Sequence, residues 1–183
     1  FSFGKRMKKK SMLELHRISS EEFKQARKIP LAVVLDDIRS LNNIGSVFRT
    51  ADAFVVEHVH LCGITATPPH PDIHKTALGA EDSVQWSYHE DVCSLIAELK
   101  SQGYVVCAIE QAHGSVSLEK FAIEEGRKYA VIFGNEVKGV RQEAVDQSDV
   151  CIELPQYGTK HSLNVSITAG IVMWDFFKRM FCD

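Results

Sequence analysis

Residues 152–174, IELPQYGTKHSLNVSITAGIVMW, run from a short strand pattern through a polar, glycine-containing loop into an apolar helix pattern. The helix pattern begins among Ser162, Asn164 and Ser166. Because the first backbone N–H groups of a helix have no partner within the helix, a polar helix start suits ligand binding. Serine and asparagine are also ordinary helix-capping residues. The stretch therefore predicts a strand, a loop and a helix whose start is either a simple cap or part of a site.

Two earlier segments have the same character. Residues 131–140, VIFGNEVKGV, predict a buried strand followed by Gly134, Asn135 and Glu136. Ligands of open α/β sheets bind at such carboxyl ends of strands. Residues 43–53, NIGSVFRTADA, predict a helix because their apolar residues recur at i, i+3, i+4 and i+7. Arg49 lies off this apolar stripe, so it is either a solvated charge or turned toward a site.

Strand and helix patterns alternate along most of the chain. The predicted strands are residues 31–35, 58–62, 84–88, 104–109, 129–133 and 150–154. Such alternation is typical of an α/β fold with a mostly parallel sheet flanked by helices. The chain has 183 residues, 45% of them apolar, and no internal repeat or low-complexity linker. We therefore expect one such domain.

Charge is distributed unevenly. Residues 1–30 hold nine lysines and arginines, including Lys5 and Arg6, against three glutamates, a net charge of +6, whereas residues 31–183 have a net charge of −9. Ser19 and Glu22 have the spacing of a capping box, which predicts a short helix in the first segment. We therefore divide the chain into a basic N-terminal arm, 1–30, and a domain, 31–183. The arm suits contact with the phosphates of a ligand, although a charged tail also simply keeps a protein soluble.

Several classes of protein lack support in the sequence. No apolar run reaches the ~20 residues that cross a bilayer, and no secretory signal pattern opens the chain, so we expect a soluble, cytoplasmic protein. The cysteines are odd in number and lack CxxC spacing, which predicts reduced thiols. They are Cys62, Cys93, Cys107, Cys151 and Cys182. Neither a GxGxxG fingerprint nor a GKS/T phosphate loop is present.

Two pairs of residues that contain histidine have the spacing of a possible metal site or catalytic site. His70 and His74 have the i, i+4 spacing of a metal pair, but Pro71 disfavours a helix through His70 and no third ligand is evident. We therefore expect no metal. His161 beside Ser162 suggests a hydrolase, but the chain has no GxSxG elbow, and sequence adjacency does not make a nucleophile–base pair.

Three motifs resemble those of a known enzyme superfamily. They are NxGxxxR at Asn43, Gly45 and Arg49, FGNExxG at residues 133–139, and LPxxGxxxSLNVSxxxG at residues 154–170. In this order and spacing they resemble the three motifs of the SPOUT superfamily. More narrowly, the chain is similar to the SpoU branch of tRNA/rRNA ribose 2′-O-methyltransferases, from about residue 31 to residue 178.

The resemblance implies a fold, a cofactor and an assembly. Its members have a parallel sheet whose C-terminal part is threaded into a trefoil knot, which composition alone does not predict because ordinary chains avoid knots. The knot binds S-adenosylmethionine, mostly through backbone groups and apolar walls. By position, the cofactor-binding residues would be Ile109, Glu110, Gln111, Gly134, Gly139, Leu154, Ser162 and Leu163. Members are normally homodimers with the last helix at the interface.

The resemblance also implies roles for five polar residues. Arg49 would contact phosphate and activate the ribose hydroxyl; because an arginine side chain remains protonated at neutral pH, we expect it to orient and polarise the hydroxyl rather than abstract a proton. Asn43 would hold Arg49 or the nearby backbone, and Glu136 would orient these groups. Ser162 and Asn164 would contact the substrate phosphate or the cofactor carboxylate from a helix start. Each residue taken alone is equally compatible with a structural role.

The last predicted helix is apolar on almost all sides. One stripe consists of Ile167, Ile171, Trp174, Phe177 and Met180, and the apolar surface is widened by Val172, Met173 and Phe176. Such a band suits either burial within one subunit or contact with a second subunit.

We predict an S-adenosylmethionine-dependent RNA ribose 2′-O-methyltransferase. The small basic arm favours tRNA over rRNA, because the chain has no separate large RNA-binding domain. The alternatives are a catalytically silent RNA-binding or assembly module on the same fold, and an enzyme that methylates a base.

Overall fold

Seven parallel strands form one sheet in the part of the chain that the computed structural model describes, residues 7–181. Lys5, Arg6 and Cys182 lie outside the described residues. The strands are β1 (Ile29–Asp36), β2 (Val56–Cys62), β3 (Trp86–His89), β4 (Tyr104–Ile109), β5 (Val116–Ser117), β6 (Lys128–Phe133) and β7 (Val150–Glu153). Their order across the sheet is β3-β2-β1-β6-β4-β7-β5.

Helices connect most of the strands. They are α1 (Ser20–Gln25), α2 (Leu41–Ala53), α3 (Pro71–Ala77), α4 (Ala80–Ser83), α5 (Val92–Ser101), α6 (Gln142–Gln147) and α7 (Val165–Met180). Short 3-10 turns are found at Leu13–Leu15 and Leu118–Lys120. Among the described helices, none is both long and apolar enough to span a bilayer.

The predicted α/β class and all six predicted strands are confirmed, with ends that shift by a residue or two. The seventh strand, β5, was not predicted. It has two residues and pairs only with β7, so it is too short to produce an alternating pattern. Cys62, Cys93, Cys107 and Cys151 are free thiols.

The core has two layers because β1 and β6 are covered on both faces. Leu31, Val33 and Leu35 point to one side, where they pack with residues of α2 and α7. Ala32 and Val34 point to the other side, toward α5 and α6. This two-sided burial is characteristic of parallel sheets and leaves only the strand ends open. The polar loops at the carboxyl ends of the strands are therefore free to form a site.

The first described helix confirms the capping box. The Ser19 hydroxyl accepts the Glu22 N–H at 3.2 Å, and the Glu22 carboxylate accepts the Ser19 N–H at 2.7 Å. Phe23, on the same helix, is buried in the larger core cluster. The helix is therefore anchored to the sheet domain, while the arm–domain division at residue 30 stays a prediction.

Helix α2 begins two residues before the predicted segment, since Ser40 caps it by accepting the Asn43 N–H at 3.2 Å. Gly45 lies where α2 meets α3. A side-chain carbon at this position would collide with the carbonyl oxygen of Ile73 and the hydroxyl of Thr76. The two helices can therefore approach closely only with glycine here.

We expect Gly45→Ala to lower the free energy of unfolding by about 1–3 kcal/mol, because the new methyl group displaces backbone of α3. Helix propensity alone would raise it by about 1 kcal/mol, so the sign distinguishes the two effects. Gly158→Ala is the control, since open space surrounds that position. Urea denaturation of both variants measures the difference; a stabilised Gly45→Ala protein would contradict the close approach.

Candidate functional site

One pocket opens at the carboxyl ends of β4, β6 and β7. Its volume is about 390 Å³, within the ~300–1,000 Å³ range of small-molecule sites. All eight residues predicted to bind the cofactor line it. They are Ile109, Glu110, Gln111, Gly134, Gly139, Leu154, Ser162 and Leu163. The structure thus brings together residues from three separate loops, and their contact with a cofactor stays a prediction.

Glu110 holds the loop after β6 in place. Its carboxylate accepts the Val140 N–H at 2.9 Å and the Gln111 N–H at 2.8 Å. Gly139 has a φ of +70° and lies so close to this carboxylate that a side-chain carbon would collide with it. The backbone angle at position 139 therefore favours glycine, and a side chain there would displace the Glu110 carboxylate.

Glu136 connects this loop to the start of α2. Its carboxylate accepts the N–H groups of Arg39 (3.0 and 3.1 Å) and Ser40 (2.9 Å), and the side-chain amide of Asn43 at 3.3 Å. Burial raises the pKa of Glu136, but these donors lower it by more, so it lies below the usual value. An ionised carboxylate therefore satisfies donors that the α2 start leaves unpaired.

The network continues to α7. The Asn164 side-chain amide donates to the Asn43 oxygen at 3.2 Å. The Asn164 oxygen accepts the Ser166 N–H at 2.9 Å and the Ile167 N–H at 3.4 Å, which caps the helix. Glu136, Asn43 and Asn164 are therefore connected in one chain of hydrogen bonds that joins all three motifs.

Ser162 lies on the pocket wall but not at the helix start. Helix α7 begins at Val165, and Asn164 supplies the cap. We expected both Ser162 and Asn164 at the helix start, and only Asn164 is there. Its side-chain oxygen accepts both of the capped N–H groups, those of Ser166 and Ile167.

Arg49 is not brought into this pocket by its own chain. It is exposed and lines a separate cleft of about 600 Å³ with Arg17 and Asp52. It is six residues beyond Asn43 on α2, which places it about 9 Å further along the axis and about two-thirds of a turn around it. Asn43 and Arg49 therefore point to different sides of one helix.

An ion pair that the sequence patterns do not predict joins the end of β1 to Arg141, the residue after the pocket-lining loop. Asp36, the last residue of β1, is 1% exposed and accepts the Arg141 Nε–H at 3.0 Å. Burial raises the pKa of Asp36 above its usual value, and Arg141 offsets only part of that rise. The sequence does contain one indication of this pair, because Asp36 is a charged residue at the end of an otherwise apolar strand.

Neither histidine of the 70–74 pair is arranged as a metal ligand. The His70 ring accepts the Asp72 N–H at 3.1 Å and precedes α3, while the His74 ring lies 2.5 Å from the Glu81 carboxylate. Within residues 7–181, no group of three or more potential ligands converges on a metal position.

Comparison with known proteins identifies the family. The model of the SpoU rRNA Methylase family matches residues 30–174. This chain belongs to the SpoU rRNA Methylase family. The matched range contains all three motifs and every residue of the Glu136–Asn43–Asn164 chain.

Sequence relatives of this SpoU-family protein are RNA methyltransferases. The tRNA (guanosine(18)-2′-O)-methyltransferase of Thermus thermophilus is 28% identical over 162 residues, which are 88% of this chain and 81% of the relative. The 23S rRNA (guanosine-2′-O-)-methyltransferase of Nitrosomonas europaea is 30% identical over 150 residues, 81% of this chain and 56% of the relative.

Solved structures share the fold of this SpoU-family protein. The A. aeolicus TrmH/SpoU tRNA modifying enzyme matches with a TM-score of 0.77 at 23% identity, over 87% of this chain and 81% of that one. The AdoMet-bound rRNA methyltransferase of Sinorhizobium meliloti matches with a TM-score of 0.77 at 24% identity, over 87% of this chain and 60% of that one.

Replacement of Glu136 by glutamine should destabilise the fold, because a neutral amide accepts the three N–H donors less strongly. We expect the free energy of unfolding to fall by about 1–3 kcal/mol at pH 7. The pKa of Glu136 is lowered in the folded protein, so its stabilisation is present above the unfolded pKa of ~4.3 and is lost as the pH falls through the folded value.

The difference between wild type and Glu136→Gln should therefore shrink below about pH 4.3, as measured by denaturation at a series of pH values. Glu125→Gln, on an exposed loop, is the charge-matched control. Equal effects of the two variants at pH 7 would show that the carboxylate does not hold the α2 start.

Proposed function

We propose that this protein is an S-adenosylmethionine-dependent RNA ribose 2′-O-methyltransferase that acts on tRNA, with rRNA as the second candidate. The observation that carries the proposal is the single pocket that gathers all eight predicted cofactor residues beside the Glu136–Asn43–Asn164 chain. Family membership supports the reaction, and the names of the relatives include both tRNA and rRNA enzymes. A cytoplasmic location stays a prediction.

The pocket residues fit S-adenosylmethionine. Ile109, Leu154 and Leu163 offer apolar walls, and the loop after β6 offers backbone groups. The carboxylates of Glu110 and Glu136 are already engaged by N–H donors. When bound, S-adenosylmethionine supplies the methyl group and carries a positive sulfonium charge. The residues around it would bind and orient it rather than take part in covalent chemistry.

The ribose hydroxyl is a poor nucleophile at neutral pH, so a group must orient it and stabilise the developing negative charge. Arg49 has the required fixed positive charge, and a guanidinium also binds phosphate in two-pronged geometry. We assign Arg49 this role. Because it does not line the pocket of its own chain, a second subunit is needed to bring it there.

We propose that the second subunit docks on α7. Ile167, Ile171 and Trp174 are 55%, 41% and 50% exposed and form one apolar stripe, while Val172 and Met173 on the opposite side are buried. Of the two alternatives for the apolar residues of α7, burial within one subunit thus applies to one side of the helix, and contact with a second subunit is proposed for the other side. An exposed stripe of this kind is characteristic of a subunit interface.

Arg49 is positioned to flank this stripe. Helix α2 packs beside α7, with Thr50 against Gly170 and the ring of Phe54 at 5.5 Å from that of Trp174. A partner bound to the stripe would therefore lie next to Arg49. We therefore propose a homodimer in which each Arg49 serves the pocket of the other subunit.

The trefoil knot also remains part of the proposal. After β7 the chain returns across the sheet, so that α7 packs on α2 and β1. The Gln111 side chain donates to the carbonyl of His161 at 3.0 Å, which holds the crossing loop against β4. A crystal structure of the cofactor complex would reveal whether the loop is threaded.

The N-terminal arm would contribute RNA binding. Arg17 and Arg49 face the same cleft between the arm and α2. The basic arm counterbalances the acidic domain, and its cations would bind phosphate in a salt-dependent manner.

Methyl transfer to RNA tests the reaction. Purified protein is incubated with radiolabelled S-adenosylmethionine and either total tRNA or rRNA, and the RNA is digested to nucleosides. We expect label in 2′-O-methylnucleosides and a loss of at least about 10²-fold in Arg49→Ala, because a charge that stabilises the transition state is removed. Arg127→Ala removes an exposed arginine elsewhere and should retain activity.

The outcomes separate the alternatives. Label on a base would indicate base methylation. No label in either RNA, despite cofactor binding by calorimetry, would favour the silent RNA-binding module and contradict the proposed enzyme.

Mixing two inactive variants tests the shared site. Arg49→Ala retains an intact pocket, whereas Leu163→Arg blocks the pocket and retains Arg49. If Arg49 acts across the interface, mixing the two and allowing subunit exchange should restore about a quarter of wild-type activity, since half of the dimers gain one working site of two. Absence of restoration, with exchange verified by mass spectrometry, would place Arg49 in its own subunit's site.

A further inference from the structure

Tyr157 is an aromatic side chain that the fold leaves almost entirely in solvent. It is 96% exposed, in the loop between β7 and α7. A tyrosine buries ~150–250 Å² when it packs, so leaving it exposed forgoes a large contribution to folding. Its position suggests what it contacts instead, because Gln156 before it and His161 after it both line the pocket. Tyr157 thus lies at the rim of the candidate active site.

Two exposed lysines lie on the loops near this rim, although residues 31–183 have a net charge of −9. Lys160 is exposed on the same loop as Tyr157. Lys138 is exposed on the opposite loop, which follows β6, and lines the pocket. Neither lysine forms an ion pair with any residue between positions 7 and 181. Two unpaired cations on opposite loops suit a polyanion that crosses the pocket mouth.

The carboxylates of the pocket form hydrogen bonds with backbone groups, and neither forms an ion pair with Lys138 or Lys160 among the described residues. Glu110 accepts the Val140 and Gln111 N–H groups, and Glu136 accepts those of Arg39 and Ser40. Both lysines therefore remain available to a ligand. The rim therefore presents a planar ring and two cations, which are the two elements that bind single-stranded nucleic acid.

We propose that Tyr157 is a stacking platform for an unpaired base of the RNA substrate, with Lys160 and Lys138 on the flanking phosphates. The proposal rests on the proposed function and adds to it a residue that contacts the substrate, since Tyr157 would hold a base that is not paired in a duplex. A base splayed out of its stack and placed on an aromatic ring is a common mode of RNA recognition. Stacking tolerates any base, so Tyr157 selects unpaired structure rather than sequence.

Binding and kinetics with a tRNA transcript that the wild type methylates test the proposal. Tyr157→Ala should weaken RNA binding and raise KM for RNA by about 10- to 100-fold. Tyr157→Phe, which keeps the ring, should remain within about twofold of wild type, as the stacking account requires. Binding of S-adenosylhomocysteine by calorimetry should be unchanged in both variants.

Substitution of the two lysines should instead change the salt dependence of RNA binding. Lys160→Gln and Lys138→Gln should each reduce the slope of log Kd against log salt concentration by about 0.7–0.9, since each removes one phosphate contact. Tyr157→Ala should leave that slope unchanged. Tyr88→Ala is the matched control, because Tyr88 is an exposed tyrosine on β3 at the far edge of the sheet.

Three results would overturn the proposal. The first is equal RNA binding by Tyr157→Ala and wild type. The second is an equal loss by Tyr157→Ala on a fully paired RNA duplex, which offers no base to stack. The third is a loss accompanied by dissociation of the dimer in sedimentation, which would assign the ring to a second copy of the chain. If the wild type methylates no RNA, the proposed function itself fails, and the two failures are thereby distinguished.

Discussion

The carboxylate of Glu136 is the interaction on which the rest of the site depends. A helix start has unpaired N–H donors, and α2 begins where the polar loops of the sheet meet. One acidic side chain from the loop after β6 accepts donors from Arg39, Ser40 and Asn43. Asn43 passes the connection on to Asn164, which caps α7. Groups 93 and 121 residues apart in the chain are thereby held at one edge of the sheet.

The hydrogen bonds and the ion pair of the acidic side chains make a domain of net negative charge compatible with a polyanionic substrate. Glu110 and Glu136 direct their carboxylates toward backbone N–H groups, and the buried Asp36 is paired with Arg141. Lys138 and Lys160, on the loops near the pocket rim, are exposed. Net charge therefore says little about this site, because the position of each charged group decides which of them RNA meets.

The residues around the pocket were expected from the resemblance of the three motifs to the SPOUT superfamily, and their position fits the rule that the polar ends of parallel strands gather at one edge of the sheet. Six of the strands were predictable from the sequence, because buried parallel strands are continuous apolar runs. The two-residue strand β5 was not, since so short a segment has no period. The Asp36–Arg141 pair was missed because the two residues are 105 positions apart and nothing local connects them. The location of Arg49 away from Asn43 depends on the rotation of α2 against the sheet, which a helical stripe alone leaves open.

Local patterns in the amino-acid sequence were thus sufficient for six of the seven described strands, the Ser19–Glu22 capping box and the three motifs, because each is encoded within a few neighbouring positions. Only the tertiary structure decided which distant groups meet: that Glu136 reaches the start of α2, that Asn164 contacts Asn43, and that Arg49 and the α7 stripe face outward. Those contacts depend on the order of strands across the sheet and on the rotation of each helix, and both are set by packing over the whole domain rather than by any single segment.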